Sequence, residues 1–277
     1  MSEATADVET LEDGDAPTGG TRGGVRVAFV GKGGVGKSAI AGTFARALAR
    51  RGGPVLAIDS DPMPGLAFSL GLDISDAPLP DEAIEERKEG EPGPRYRLRT
   101  GLTAAEAVER YAVEAPDGVR FLQFGKHRGQ VASLFRSQFA FRQILRELPT
   151  DRWALVGDLP GGTRQPFSGW GDYADTVLVV VEPTAKSLLT GRRLARLAHA
   201  EDGPRRVVAV ANKVREPGDT ELVARRTGLD VMASVPWDEA LAEAERRAAA
   251  PIDLAPDSAA VQAVESLVVA LSEEQHA

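Results

Sequence analysis

The sequence predicts an α/β fold of three layers, with a doubly wound, mostly parallel sheet of about seven strands between two sets of helices. Three observations predict it. Seven short β-rich runs, at residues 25–30, 55–58, 119–124, 153–156, 176–181, 207–211 and 231–235, are mostly continuous apolar stretches, the pattern of strands buried on both faces. Helical patterns lie between them, and strand–helix alternation implies right-handed crossovers with the ligand at the carboxyl ends of the strands. The first run leads straight into a glycine-rich loop, Gly31-Lys32-Gly33-Gly34-Val35-Gly36-Lys37-Ser38, which opens the first helical pattern.

In that first helix, residues 38–51, Ile40, Phe44 and Leu48 recur at i+4 and Gly52-Gly53 ends the run. The loop reads as a phosphate-binding loop, which makes the fold a P-loop NTPase fold. Its glycines let backbone N–H groups and the helix N-terminus face phosphate oxygens, so Gly33, Gly34, Val35, Gly36, Lys37, Ser38 and Ala39 are the candidate nucleotide-binding residues. Lys37 can reach the β/γ oxygens and Ser38 can hold Mg²⁺. Gly31, Gly33 and Gly36 also satisfy a dinucleotide fingerprint, with Asp59 about twenty residues on. Lys37-Ser38 decides between the two, because a triphosphate with Mg²⁺ needs an amine and a hydroxyl there and a dinucleotide does not.

The second strand ends in Asp59-Ser60-Asp61-Pro62, beside the place of a γ-phosphate, where an acid can position water and another can support the metal. Asp59 reads as the more structural of the pair, unless Asp59 or Asp61 merely caps the turn before Pro62. Residues 73–117, with prolines and mixed charge, read as an irregular insertion, helical over 103–112. The run at 153–156 delivers Gly157-Asp158-Leu159-Pro160-Gly161-Gly162. An acid at the end of a buried strand needs a partner, most simply the Mg²⁺ shell through water, which makes Asp158 the second metal candidate after Ser38. After the sixth strand comes Asn212-Lys213-Val214-Arg215, where a guanine reader would carry an acid at the fourth position; Arg215 stands there, which favours ATP. Pro236 and Asp238, after the seventh strand, are the candidate second wall of the base site.

With Lys32 at its start, the loop resembles the deviant Walker A motif of the MinD/ParA class. That resemblance implies that Lys32 reaches across a nucleotide-dependent homodimer to the partner's phosphates, that Lys32, Lys37 and Asp61 carry catalysis, and that Asp61 orients the attacking water. It also implies that Asp158 is the Walker B acid, that the N–H of Gly162 senses the γ-phosphate in a second switch, and that Asn212 meets the adenine edge. The stretches Val179-Val180-Val181-Glu182-Pro183-Thr184, Gly191-Arg192-Arg193-Leu194 and Ala211-Asn212-Lys213-Val214 look most like the CooC branch, ATPases that help mature carbon monoxide dehydrogenase. Two departures stand out. That branch commonly carries a close cysteine pair at its dimer interface where this chain has Gly125-Lys126-His127-Arg128-Gly129-Gln130-Val131, and the first switch continues Met63-Pro64-Gly65 without the Asn or Asp often found there.

The chain has no cysteine, which excludes thiolate metal sites, disulfides and thiol nucleophiles on it. A net charge of −8 weighs against DNA as the main ligand, although Arg192, Arg193 and Arg196 could meet it. Residues 1–24 are acidic and lack an apolar core, the composition of a disordered tail rather than a signal peptide. Residues 25–277 then form one ATPase domain, cytoplasmic and without membrane insertion. The amphipathic stretch 259–271 lacks the cations a membrane-targeting helix would want and reads as a closing core helix. Three functions follow: an accessory ATPase acting on an unidentified client protein, a positioning or partition ATPase, or a low-turnover regulatory module.

Overall fold

The structure is a computed structural model that describes residues 24–61, 65–73, 79–88, 90, 93–123, 131–149, 151–162, 171–198 and 206–274. Most of the acidic 1–24 segment, Met63-Pro64 and the 125–129 stretch with His127 lie outside the described residues. Along the chain, β1 (Arg26–Gly31) leads through the glycine loop into α1 (Lys37–Arg50), then β2 (Val55–Asp59) and α2 (Leu66–Leu70). A hairpin of β3 (Ile84–Glu86) and β4 (Tyr96–Leu98) follows, with α3 (Ala104–Tyr111) and β5 (Val113–Glu114) after it. The chain continues as β6 (Arg120–Gln123), α4 (Val131–Glu147), β7 (Ala154–Asp158), β8 (Thr176–Val181) and α5 (Ala185–Ala198). It ends with β9 (Arg206–Val214), α6 (Asp219–Thr227), β10 (Val231–Pro236), α7 (Glu239–Arg246), α8 (Pro251–Leu254) and α9 (Ala259–Glu274).

Eight strands form one sheet in the order β10-β9-β8-β1-β7-β2-β6-β5. All seven expected strands are in it and pair in parallel; the eighth, β5, adds an antiparallel edge to β6. β1, β2, β7 and β8 are buried along their whole length, which is why their sequences are unbroken apolar runs rather than alternations. The chain passes from β1 outward to β2 and returns to β7 between them, so the carboxyl ends of β1, β7 and β2 lie side by side where the order reverses. Register holds them level: Phe29 and Asp59 both pair with Asp158. Such a reversal point is where an open parallel sheet leaves a crevice for ligand.

The sheet separates two cores. Phe29, Ile40, Phe44, Leu66, Val264 and Val268 pack under α1, α2 and α9, and Ile58, Phe141, Ile144, Leu188 and Leu194 pack under α4 and α5 on the other face. Each such fully buried side chain contributes about 1.5–3 kcal/mol relative to exposure. Phe29 and Phe44 meet edge to face at 5.5 Å, fixing α1 over β1. The 73–117 segment is more regular than its prolines and charges suggest: it supplies the hairpin, the edge strand β5, and α3, whose capping box joins Thr103 Oγ1 to the Glu106 N–H at 3.2 Å and Glu106 to the Thr103 N–H at 2.9 Å. Its turn at Asp117 is tied back to α1. Arg46, its side chain only 3% exposed, pairs with Asp117 at 2.7 Å and with Asp253 of α8.

α1 and α2 approach so closely at Gly42 that an added Cβ would lie 2.5 Å from Ser69 Cβ and 2.8 Å from the Ser69 backbone. Gly42→Ala must push α2 away from α1. We expect it to lower unfolding free energy by about 1–3 kcal/mol, the cost of overpacking a well-filled interior, measured by urea denaturation with the m-value unchanged.

Candidate functional site

The phosphate loop sits at the reversal point because β1 ends there. Gly34 and Gly36 have φ of +82° and +84°, left-handed conformations that only glycine adopts cheaply, and Gly36 is the residue from which α1 starts. The first turn of α1 holds no acidic side chain, so its N–H end keeps the partial positive charge that attracts an anion. The loop forms one lip of a cavity of about 370 Å³, lined by Lys32 to Gly34, Gly36 to Ala39, Asp61, Gly65 and Gly161.

At the floor, side chains from the loop converge on the strand beside it. Lys37 forms a buried ion pair with Asp158, and Ser38 Oγ donates to the other Asp158 oxygen at 2.5 Å. Burial pushes the Asp158 carboxyl above its ordinary value, against the pull of Lys37 and Ser38. Asp59, equally enclosed, is pushed up to about 7 by burial and by the charge of Asp158, while backbone N–H groups of Leu66 and Asp61 oppose the shift. Its oxygens also accept from the Gly65 N–H at 3.0 Å, so Asp59 shapes the turn into α2. Asp61 points across the crevice and accepts from the Gly161 N–H at 3.4 Å, joining the loop after β2 to the loop after β7. Gly162 donates to Gly31 O at 3.3 Å. Lys32 is half-buried on the lip, its Nζ 3.2 Å from Gly33 O.

The end of β9 reaches the loop from behind. Asn212 is buried, and its Nδ2 donates to Val35 O at 2.6 Å. Lys213, with φ +58°, donates to Gly34 O at 3.0 Å and pairs with Glu182 at 2.6 Å. Both therefore buttress the loop and do not line the cavity. Pro236 and Asp238 do not line it either: the Asp238 carboxylate caps α7 through the Ala240 N–H at 2.8 Å. Between them Trp237 stacks under the Arg215 guanidinium at 4.1 Å, and with Glu182, Thr184, Lys213 and Asp219 it borders a neighbouring cavity of about 450 Å³.

The far wall of the first cavity comes from residues the sequence reading did not single out: Leu241, Ala244, Ala248, Ala249 and Pro251. Leu241 and Ala244 stand at i and i+3 on one face of α7, while Ala248, with φ +50°, lies past its end. Tyr173 was also missed. Its ring lies over Gly157, where a Cβ would overlap the phenol oxygen, and burial raises its hydroxyl.

A glycine loop between a central strand and a helix, with a lysine and a serine meeting a strand-end aspartate, defines a nucleotide-binding domain of the P-loop class. The sequence matches the profile of the CobQ/CobB/MinD/ParA nucleotide binding domain over residues 27–252, and the chain belongs to that family. It is 30% identical over 242 residues to the carbon monoxide dehydrogenase accessory protein CooC of Rhodospirillum rubrum, covering 84% of this chain and 91% of that one. This bears out the CooC resemblance. An uncharacterised ATP-binding protein of Methanocaldococcus jannaschii is also 30% identical, over 88% of this chain and 96% of its own length. Among solved structures, a ParA family ATPase from Chlorobium tepidum superposes with a TM-score of 0.68 at 17% identity, over 89% of this chain and 98% of that chain. MinD from Pyrococcus horikoshii, complexed with Mg-ADP, superposes with 0.66 at 17% identity, over 90% and 96%. Among the described residues no helix is long and apolar enough to cross a membrane.

Removing the buried donor to Val35 leaves its carbonyl without that bond. Asn212→Ala should cost about 1–3 kcal/mol of stability and weaken nucleotide binding, followed by denaturation and by calorimetric titration. Asn212→Asp, which sets an acceptor against the Val35 carbonyl, should cost at least as much.

Proposed function

We propose that the chain binds and hydrolyses ATP, dimerises around it, and acts as an accessory ATPase on a client protein, in the manner of CooC but without cysteine metal ligands. The observation that carries this reading is the convergence of Lys37 and Ser38 on Asp158 at the floor of a cavity whose rim holds Lys32 and Asp61. The donor set fits Mg²⁺: a hydroxyl and carboxylate oxygens are the hard ligands it prefers, and a carboxylate reached through water suits its reluctance to dehydrate. Ser38 would hold the ion directly and Asp158 through water, and the ion would neutralise charge on the phosphate oxygens.

The rest falls to the protein. Loop amides from Gly33 to Ala39 and the Lys37 amine cradle the phosphates. Asp61, at the mouth and already within reach of Gly161, orients the attacking water, and the Gly162 N–H acts as the phosphate sensor of the second switch. Lys32 lies on the lip, where a second subunit's nucleotide could meet it. Asn212 spends its amide nitrogen on Val35, so a base on this side could be met through its Oδ1. That acceptor suits the amino group of adenine, whereas guanine presents a carbonyl at the same ring position. Lys213 holds the loop, while Pro236 and Asp238 close the base side by fixing the start of α7.

Light scattering during gel filtration, with no nucleotide, with Mg-ADP and with Mg-ATP, tests the dimer. A dimer specific to ATP and absent in Lys32→Ala is expected; one oligomeric state throughout would refute the switch. Asp61→Asn should still bind ATP but release phosphate about 10²-fold more slowly or worse, whereas Lys37→Ala should lose binding itself; phosphate-release and fluorescent-nucleotide assays separate the two.

A further inference from the structure

The nucleotide site occupies one end of the sheet, and the opposite end has a charge arrangement of its own. α5 and α6 each run back against the strand they follow, so their last turns lie beside the first residues of β1, β8 and β9. Those first residues are level in the sheet, Val27 pairing with Thr176 and Thr176 with Arg206. The two helices pack on each other, the end of α6 against the middle of α5: a Cβ on Gly191 would come within 2.9 Å of Thr227 Cγ2. Arg192, Arg193 and Arg196 of α5 and Arg225 and Arg226 of α6 are all exposed. No described carboxylate forms an ion pair with any of them. α5 contains no acidic residue at all, the nearest acid on α6 is Glu221, one turn before Arg225, and Leu197 stands 40% exposed among the arginines. In a chain of net charge −8, this is a concentrated basic face.

The occupant is indicated by where the chain enters the fold. Residues 1–23 join β1 at this same end, and α5 packs over β8 and β1. They carry Glu3, Asp7, Glu9, Glu12, Asp13 and Asp15 against the single cation Arg22, with Val8 and Leu11 among the acids. Asp15 is nine residues before Gly24, a reach of about 30 Å when extended, and α5 is only about 21 Å long. We propose that residues 1–23 dock in cis on the basic end of α5 and α6, their carboxylates pairing with the guanidinium groups and Val8 and Leu11 covering Leu197. A single exposed ion pair is weak, but a covalent tether supplies the segment at an effective concentration on the order of millimolar. An acidic partner must then displace the chain's own segment to use this face.

The absence of cysteine makes the test direct, since Thr10→Cys in the full chain gives one site for a nitroxide spin label. Amide signals of residues 192–197 and 225–226 should then lose most of their intensity to paramagnetic broadening, while those of α3 and α7 keep theirs. The loss should vanish at about 1 M salt, where charges are screened beyond about 3 Å, and in the full chain carrying Arg192→Glu with Arg196→Glu. The salt titration needs no variant of the face, so it stands even if the double substitution disturbs folding. Broadening that is absent, spread evenly over the surface, or indifferent to salt would overturn the proposal. So would broadening seen only between spin-labelled and isotope-labelled molecules in a mixture, which would make the occupant a second copy.

Discussion

Asp158 is an ionisable group at the bottom of a closed sheet, and the site is organised around satisfying it. A carboxylate enclosed by apolar strands is costly unless it is paired and hydrogen-bonded. β7 supplies it, the adjoining β1 and α1 bring Lys37 and Ser38 to it, and the main chain following β2 binds its carbonyl through Ser60. Three segments far apart in sequence are thus held together at one residue, two of them through its carboxylate and the third through its carbonyl. The same requirement explains why the strands around it are apolar throughout: a low local dielectric strengthens the lysine pair as much as it penalises the lone acid.

A second layer of constraint lies behind the loop. Left-handed glycines give the loop its curl but no rigidity, and rigidity comes from Asn212 and Lys213 gripping the carbonyls of Val35 and Gly34. Lys213 in turn is held by Glu182, which follows β8. Phosphate-binding N–H groups can point inward only if the intervening carbonyls point outward and find donors. β9 provides those donors, so the loop is set between the ends of β7 on one side and β9 on the other.

Much of this was legible in the sequence, because fully buried strands leave unbroken apolar runs and because the phosphate loop combines residue types that few other tasks require. All seven parallel strands could be read in that way. β5 could not, since two residues carry no periodicity, and the β3–β4 hairpin was hidden by the charged side chains its exposed positions tolerate. Within the site, Lys37, Ser38, Asp61 and Asp158 fell together as their motifs suggested. Asn212 shows the limit of such reading: its position after a strand placed it near the nucleotide, but only the fold reveals that its amide nitrogen faces Val35, 177 residues away. The alanine-rich cavity wall was illegible for a different reason. Small side chains line a cavity by leaving room, and leaving room has no motif.

The tie from Arg46 to Asp117 and Asp253 bears on how the protein is made. α1 leaves the ribosome about two hundred residues before α8, yet one of its faces packs on α9 and its buried guanidinium is paired with α8, so its burial is completed only when those two helices have followed. Throughout synthesis the apolar side of the phosphate-loop helix is bare and Arg46 lacks one of its carboxylates. A chain halted before α8 therefore presents a sticky, unfinished surface of the kind chaperones and proteases engage, because the helix that starts the phosphate loop's site is finished by segments made long after it.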